Sequence, residues 1–169
     1  MRFFSLSAPV CALSALLLCS CHSAEEPLRG LPLGIIGIEE PVFVMPFETP
    51  FAAKIDTGAD TSSIDAEEIR LIQRDGGKFV SFKIRQRGTQ KEHSFELPLK
   101  RRTSIVRHGS QAQPRYTVML TVRIGPLTME REFSLADRKN FKYQVLIGRN
   151  IISGMAAVDP SRRNLTGAL

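Results

Sequence analysis

The chain has 169 residues, enough for one domain with a real core, and 43% hydrophobic against 24% charged residues is an ordinary globular balance. The formal charge is +6, yet the basic residues are scattered apart from Lys100-Arg101-Arg102, and no aromatic residues interleave with them as a base-stacking platform requires. That argues against nucleic acid as a partner and for a solvated face or an acidic one.

Residues 1–20, MRFFSLSAPVCALSALLLCS, carry one early Arg and then a long apolar run without charge. This predicts a secretory signal, too short and wrongly flanked for a settled membrane span. The run ends in Leu18-Cys19-Ser20-Cys21, which resembles a bacterial lipobox. Cys21 follows a small residue and is the expected lipidation site, whereas Cys19 follows bulky Leu18. His22 in place of an Asp directs the expectation to the outer membrane, facing the periplasm. The alternative is ordinary cleavage near Ser23-Ala24 without a lipid. Residues 21–34 are polar and then broken by Pro and Gly, as a tether would be, and lead to a domain expected over 35–169. Every cysteine (Cys11, Cys19, Cys21) lies before that domain, so no disulfide, Cys nucleophile or Cys-ligated zinc is expected in it.

From Ile35 onward the pattern is strand-like. Pro41–Phe47, Phe51–Ile55, Lys78–Arg85 and Tyr116–Ile124 are rich in β-branched and aromatic residues, with turn signals at Asp75-Gly76-Gly77, Gly88, Gly109 and Gly125-Pro126. In KFVSFKIR, Val80, Phe82 and Ile84 share one face, which marks a half-buried strand. Helical periodicity is confined to one turn at Ala66–Ile72 and another after Arg149. The fold class read from this spacing is all-β, a small barrel or sandwich with at most one or two short helices.

One stretch carries chemistry. Residues 53–64 read AKIDTGADTSSI, and residues 143–152 read YQVLIGRNII. Asp-Thr-Gly after an apolar strand, with a later apolar strand running into Gly-Arg-Asn, resembles the retroviral-type aspartic proteases. With VRHGSQAQPRYTV and FSLADRKNFKYQVLIGRNII in the same order, the chain is similar to the bacterial retropepsin-like family often labelled ATP-dependent zinc proteases. That label finds no support in the residues. No HExxH spacing serves zinc, no glycine-rich phosphate loop serves ATP, and no cofactor is expected.

The resemblance implies a closed acid-protease barrel and peptide-bond hydrolysis by paired carboxylates. Asp56 would be the catalytic acid, in an active loop with Thr57, Gly58 and Ala59. Thr57 would hydrogen-bond across the dyad, and Gly58 would permit the sharp turn. Only one Asp-Thr-Gly occurs per chain, so the second carboxylate would come from a homodimer. Asp60 and Arg149 match a pair that braces this loop against Gly148-Arg149-Asn150, and a buried-edge ion pair is the expectation. Lys54 shares the face of Asp56 by strand alternation, but a flexible Lys is expected to turn to water. Thr61, Ser62 and Ser63 lack a His in a triad pattern and are expected to be turn and strand residues. Two loops are candidates for a substrate-covering flap: His108-Gly109-Ser110, and Arg85–Lys91. The competing reading is a non-catalytic envelope lipoprotein that binds a peptide or protein through the same barrel.

Overall fold

The computed structural model describes residues 30–105 and 113–167. The leader, Cys21, the first part of the tether and the His108-Gly109-Ser110 loop lie outside the described residues.

The described residues form twelve strands and one helical turn, in order: β1 (Gly34–Gly37), β2 (Glu39–Val44), β3 (Phe51–Ile55), β4 (Ser62–Asp65), β5 (Glu67–Arg74), β6 (Gly77–Arg85), β7 (Glu92–Pro98), β8 (Arg101–Ile105), β9 (Gln113–Ile124), β10 (Leu127–Ala136), β11 (Val145–Ile147), α1 (Arg149–Ile152) and β12 (Ala156–Asp159). Period-2 patterning explains them. In β6, Val80, Phe82 and Ile84 are buried while Phe79, Ser81 and Lys83 are half-buried. In β9, Val118, Leu120, Val122 and Ile124 all face the core.

Pairing closes a barrel. The strand order runs β10-β4-β11-β3-β2-β9, and β9 pairs back onto β10, so six strands form a closed sheet without free edges. The β9–β10 hairpin turns at Gly125, whose φ of 52° favours glycine. Strand β8 extends the β9 edge, β5-β6-β7 form a separate antiparallel sheet, and β1 pairs in parallel with β12.

The turn of helix expected at Ala66–Ile72 is instead strand β5, paired antiparallel with β6. Ile69 packs on the core, while Leu71 lies opposite Val80 and Ile72 opposite Phe79. Cross-strand pairing of this kind overrides a weak local helical preference. The other expected turn of helix, after Arg149, is α1.

Glu40 ties both ends of the domain to the barrel. Its carboxylate is fully buried and accepts from Gly37 N at 2.5 Å, Leu165 N at 3.0 Å, Thr166 N at 2.9 Å and Thr166 Oγ1 at 2.8 Å. Burial alone would raise its pKa. The hydrogen bonds from Thr166, Gly37 and Leu165 together outweigh that and hold it below the usual glutamate value.

Candidate active site

The site is built where β11 inserts between β3 and β4. Strand β11 runs parallel to β3, with Val145 opposite Ala53 and Ile147 opposite Ile55, and antiparallel to β4, with Leu146 opposite Ser63. The loop after β3 and the turn after β11 therefore leave the sheet side by side. Asp56 begins the first of these, and its backbone N–H donates to Ile147 O at 2.9 Å. Its Oδ1 accepts from Gly58 N at 3.0 Å. A Cβ on Gly58 would lie 3.2 Å from that oxygen, so the small residue keeps the approach open.

The two turns are zipped together. Arg149 N donates to Ala59 O at 2.8 Å and Asn150 N to Asp60 O at 3.1 Å. Asn150 Oδ1 accepts from both Ser62 N and Ser62 Oγ, each at 2.8 Å, and its Nδ2 donates to Glu132 O at 2.9 Å. Ser62 Oγ in turn accepts from Gly148 N at 2.9 Å. Arg149 bonds Thr57 O at 2.8 Å and forms an ion pair with Asp60. That pair is not at a buried edge: in the single chain Asp60 is 86% and Arg149 46% exposed by side chain, because Asp60 projects from the loop tip.

Asp56 is partly exposed, and Thr57 and Gly58 are exposed. Lys54 does not simply turn to water; its Nζ lies 3.7 Å from Asp56 Oδ2, because Asp56, just past β3, continues the strand's alternation. The neighbouring hydroxyls are engaged structurally. Thr61 Oγ1 accepts from Arg101 Nη2 at 3.1 Å, and Ser63 Oγ accepts from Arg138 Nη1 at 3.0 Å.

Strands β8 and β9 pair from Arg101 opposite Thr117 to Ile105 opposite Gln113; the candidate His108-Gly109-Ser110 lies outside the described residues. Arg101, which contacts Thr61, places the base of the hairpin beside the active loop. The other candidate loop is pinned down. Arg87 bonds Asp65 at 2.7 Å and the carbonyls of Phe141 and Arg138, and Gln86 Nε2 donates to Thr49 O and Pro50 O.

Sequence reasoning did not single out Asp65, Arg87 and Arg138. Asp65 is buried and accepts from Arg138 N at 2.7 Å. Arg138 is only 9% exposed; its Nε donates to Tyr143 O at 3.0 Å and its guanidinium stacks 4.8 Å from the Phe141 ring. Burial pushes its pKa below the usual arginine range; Asp65 opposes this, while Arg115 and Arg87 add to it. The available signal was position, since Arg138 opens the connection leading directly into β11. Among the described residues, no three His, Cys, Asp or Glu side chains converge as a metal site would need.

Residues 35–168 match the RimB-like family, described as the retropepsin-like aspartic endopeptidase RimB. The chain belongs to this family. Its barrel is also seen in a crystal structure of a Legionella pneumophila protein described as of unknown function (DUF785), at a TM-score of 0.65 and 28% identity over 78% of this chain and 97% of that one. Curated relatives carry another name. A Shewanella pealeana protein named probable alpha-L-glutamate ligase is 32% identical over 130 residues, 75% of this chain. A Parasynechococcus marenigrum protein of the same name is 28% identical over 69% of this chain. The RimB-like chain spans little more than a quarter of the length of these relatives, 28% and 26% respectively.

Proposed function

We propose that this RimB-like protein is an aspartic endopeptidase that works as a homodimer. The observation that carries the reading is the Asp56 carboxylate, fixed through Oδ1 by Gly58 N at the exposed end of a loop locked to Gly148-Arg149-Asn150. Each chain supplies one such carboxylate, so Asp56 of the partner subunit completes the pair across a two-fold axis. Two carboxylates sharing one proton, for which aspartic proteases are the standard example, divide the chemistry. One takes a proton from a water held between them as it attacks the peptide carbonyl; the other protonates the carbonyl oxygen. Thr57, exposed in the single chain, bonds across the axis, and the β8–β9 hairpin covers the substrate.

The reading extends to place and substrate. Cys21 carries a lipid that holds the domain at the outer membrane, in the periplasm. Lys54 places a cation 3.7 Å from Asp56, and the curated relatives are named for alpha-L-glutamate ligation. Together these support acidic, glutamate-bearing peptides as the substrate class.

The test is hydrolysis of a mixed peptide library by purified protein beside Asp56→Asn. Activity should vanish in the variant while folding persists. Specific activity of wild type should fall on dilution through the dimer dissociation constant, and excess Asp56→Asn chains should poison it. Full activity from a verified monomer, or an active Asp56→Asn protein, would overturn the homodimeric aspartic mechanism. No hydrolysis in any sample would favour a binding module.

A further inference from the structure

We propose that Arg138 is a specificity-determining residue: its guanidinium receives a carboxylate of the bound peptide, beside the sheet face that carries Asp56. The inference rests on the peptide-substrate reading above, but it concerns binding rather than bond cleavage.

The location follows from strand alternation. On β4, β11 and β3, Ile64, Val145 and Ala53 lie in one register and point into the core. Their neighbours Ser63, Leu146 and Lys54 therefore form a row on the opposite face. Lys54 reaches Asp56 at one end of this row, and Arg138 bonds the Ser63 hydroxyl at the other. Adjacent strands are about 4.8 Å apart, so Ser63 and Lys54 are separated by about 10 Å, roughly three residues of an extended peptide.

The electrostatics show what this position lacks. A buried guanidinium favours a nearby counter-charge, because desolvating an unpaired ion is unfavourable. Asp65 is the nearby carboxylate, but its Oδ2 pairs with Arg87 and its Oδ1 takes the Arg138 backbone N–H. The Arg138 side chain is left with a hydroxyl, a carbonyl and an aromatic face. Among the described residues, no carboxylate forms an ion pair with it. One acidic side chain, Asp65, thus serves both Arg87 and Arg138. Phe141, which covers the guanidinium, is itself 52% exposed. An exposed ring over a buried cation suits a ligand with an aliphatic stem and an anionic end, as a glutamate side chain has.

A carboxylate can come from a substrate side chain or from a peptide C-terminus. The experiment uses amidated Glu-containing peptides, their Gln counterparts, and the Gln peptides with a free C-terminus. For wild type, kcat/KM should favour the amidated Glu peptides. Arg138→Gln keeps hydrogen-bond donors toward Ser63 and Tyr143 without the charge. It should lower kcat/KM for Glu peptides by about 10- to 100-fold, chiefly through KM, and change Gln peptides by less than about threefold. Arg138→Lys should recover part of the preference. Discrimination by free C-terminus alone would move the site to the chain end and overturn the side-chain assignment.

A second measurement leaves Arg138 in place. In isotope-labelled Asp56→Asn protein, the Arg138 Nε–H resonance should shift on saturation with Glu peptide and not with amidated Gln peptide. An unmoved resonance, or an unchanged Glu preference in folded Arg138→Gln, would sink the proposal while leaving the peptidase reading intact. Arg138-dependent binding without hydrolysis by wild type would do the reverse.

Discussion

Gly148 backs so closely onto Ala59 that a Cβ there would lie 2.8 Å from the Ala59 carbonyl oxygen, with the carbonyl carbon of Thr61 at 2.9 Å. Both are backbone atoms of the active loop and cannot swing aside like the end of a flexible side chain. Gly148→Ala should therefore lower stability by about 1–3 kcal/mol. Gly76→Ala is the control, because a Cβ there would meet nothing within 4 Å, and it should stay within about 0.5 kcal/mol. Urea midpoints of the two variants check this; equal midpoints would show that the loop yields to the methyl group.

Arg149 makes two kinds of contact, and the variants should separate them. Asp60→Ala removes only an exposed ion pair and should cost less than about 1 kcal/mol. Arg149→Ala also takes the donor from the Thr57 carbonyl and should cost more. A double-mutant cycle by chemical denaturation, run at two protein concentrations, would show whether any excess depends on self-association. A larger loss from Asp60→Ala than from Arg149→Ala would contradict this division.

The buried Glu40 carboxylate makes the closure of the domain acid-sensitive. Its pKa is depressed in the folded state, so its stabilising contribution is complete above the ordinary glutamate value of about 4.3. That contribution disappears as pH falls through the lower folded value. Glu40→Gln would turn an amide N–H toward donors already on Gly37, Leu165 and Thr166, costing about 2–4 kcal/mol at pH 7. The gap between wild type and variant should narrow toward pH 3, read as denaturation midpoints. A gap independent of pH would mean that the charge on Glu40 does not hold these segments.

The proposed lipidation of Cys21 can be tested separately. Cys21→Ser leaves the barrel intact, since no cysteine follows residue 21, but should move the protein from the membrane to the soluble fraction. Fractionation with membranes as in wild type would rule out lipidation at Cys21.

Strand alternation and turn residues determined by themselves that the chain is all-β, because a two-residue period such as Val80-Phe82-Ile84 can bury one side only in a sheet. Asp-Thr-Gly and Gly-Arg-Asn marked the two turns that meet, since their chemistry is local and compact. The short segment at Ala66–Ile72 misled because its helical character is weak and its fate depends on β6, a distant partner. Tertiary structure alone decided that β11 inserts between β3 and β4, which is what brings Asp56 and Arg149 together. It alone decided that the Asp60–Arg149 pair is exposed and that Lys54 leans on Asp56, because exposure is a property of the assembled surface. Arg138 was hardest to read. A single Arg in a polar connection looks like any solvated charge, and only the packing of Phe141, Tyr143 and Ser63 around it withdraws that charge from water without supplying a carboxylate of its own.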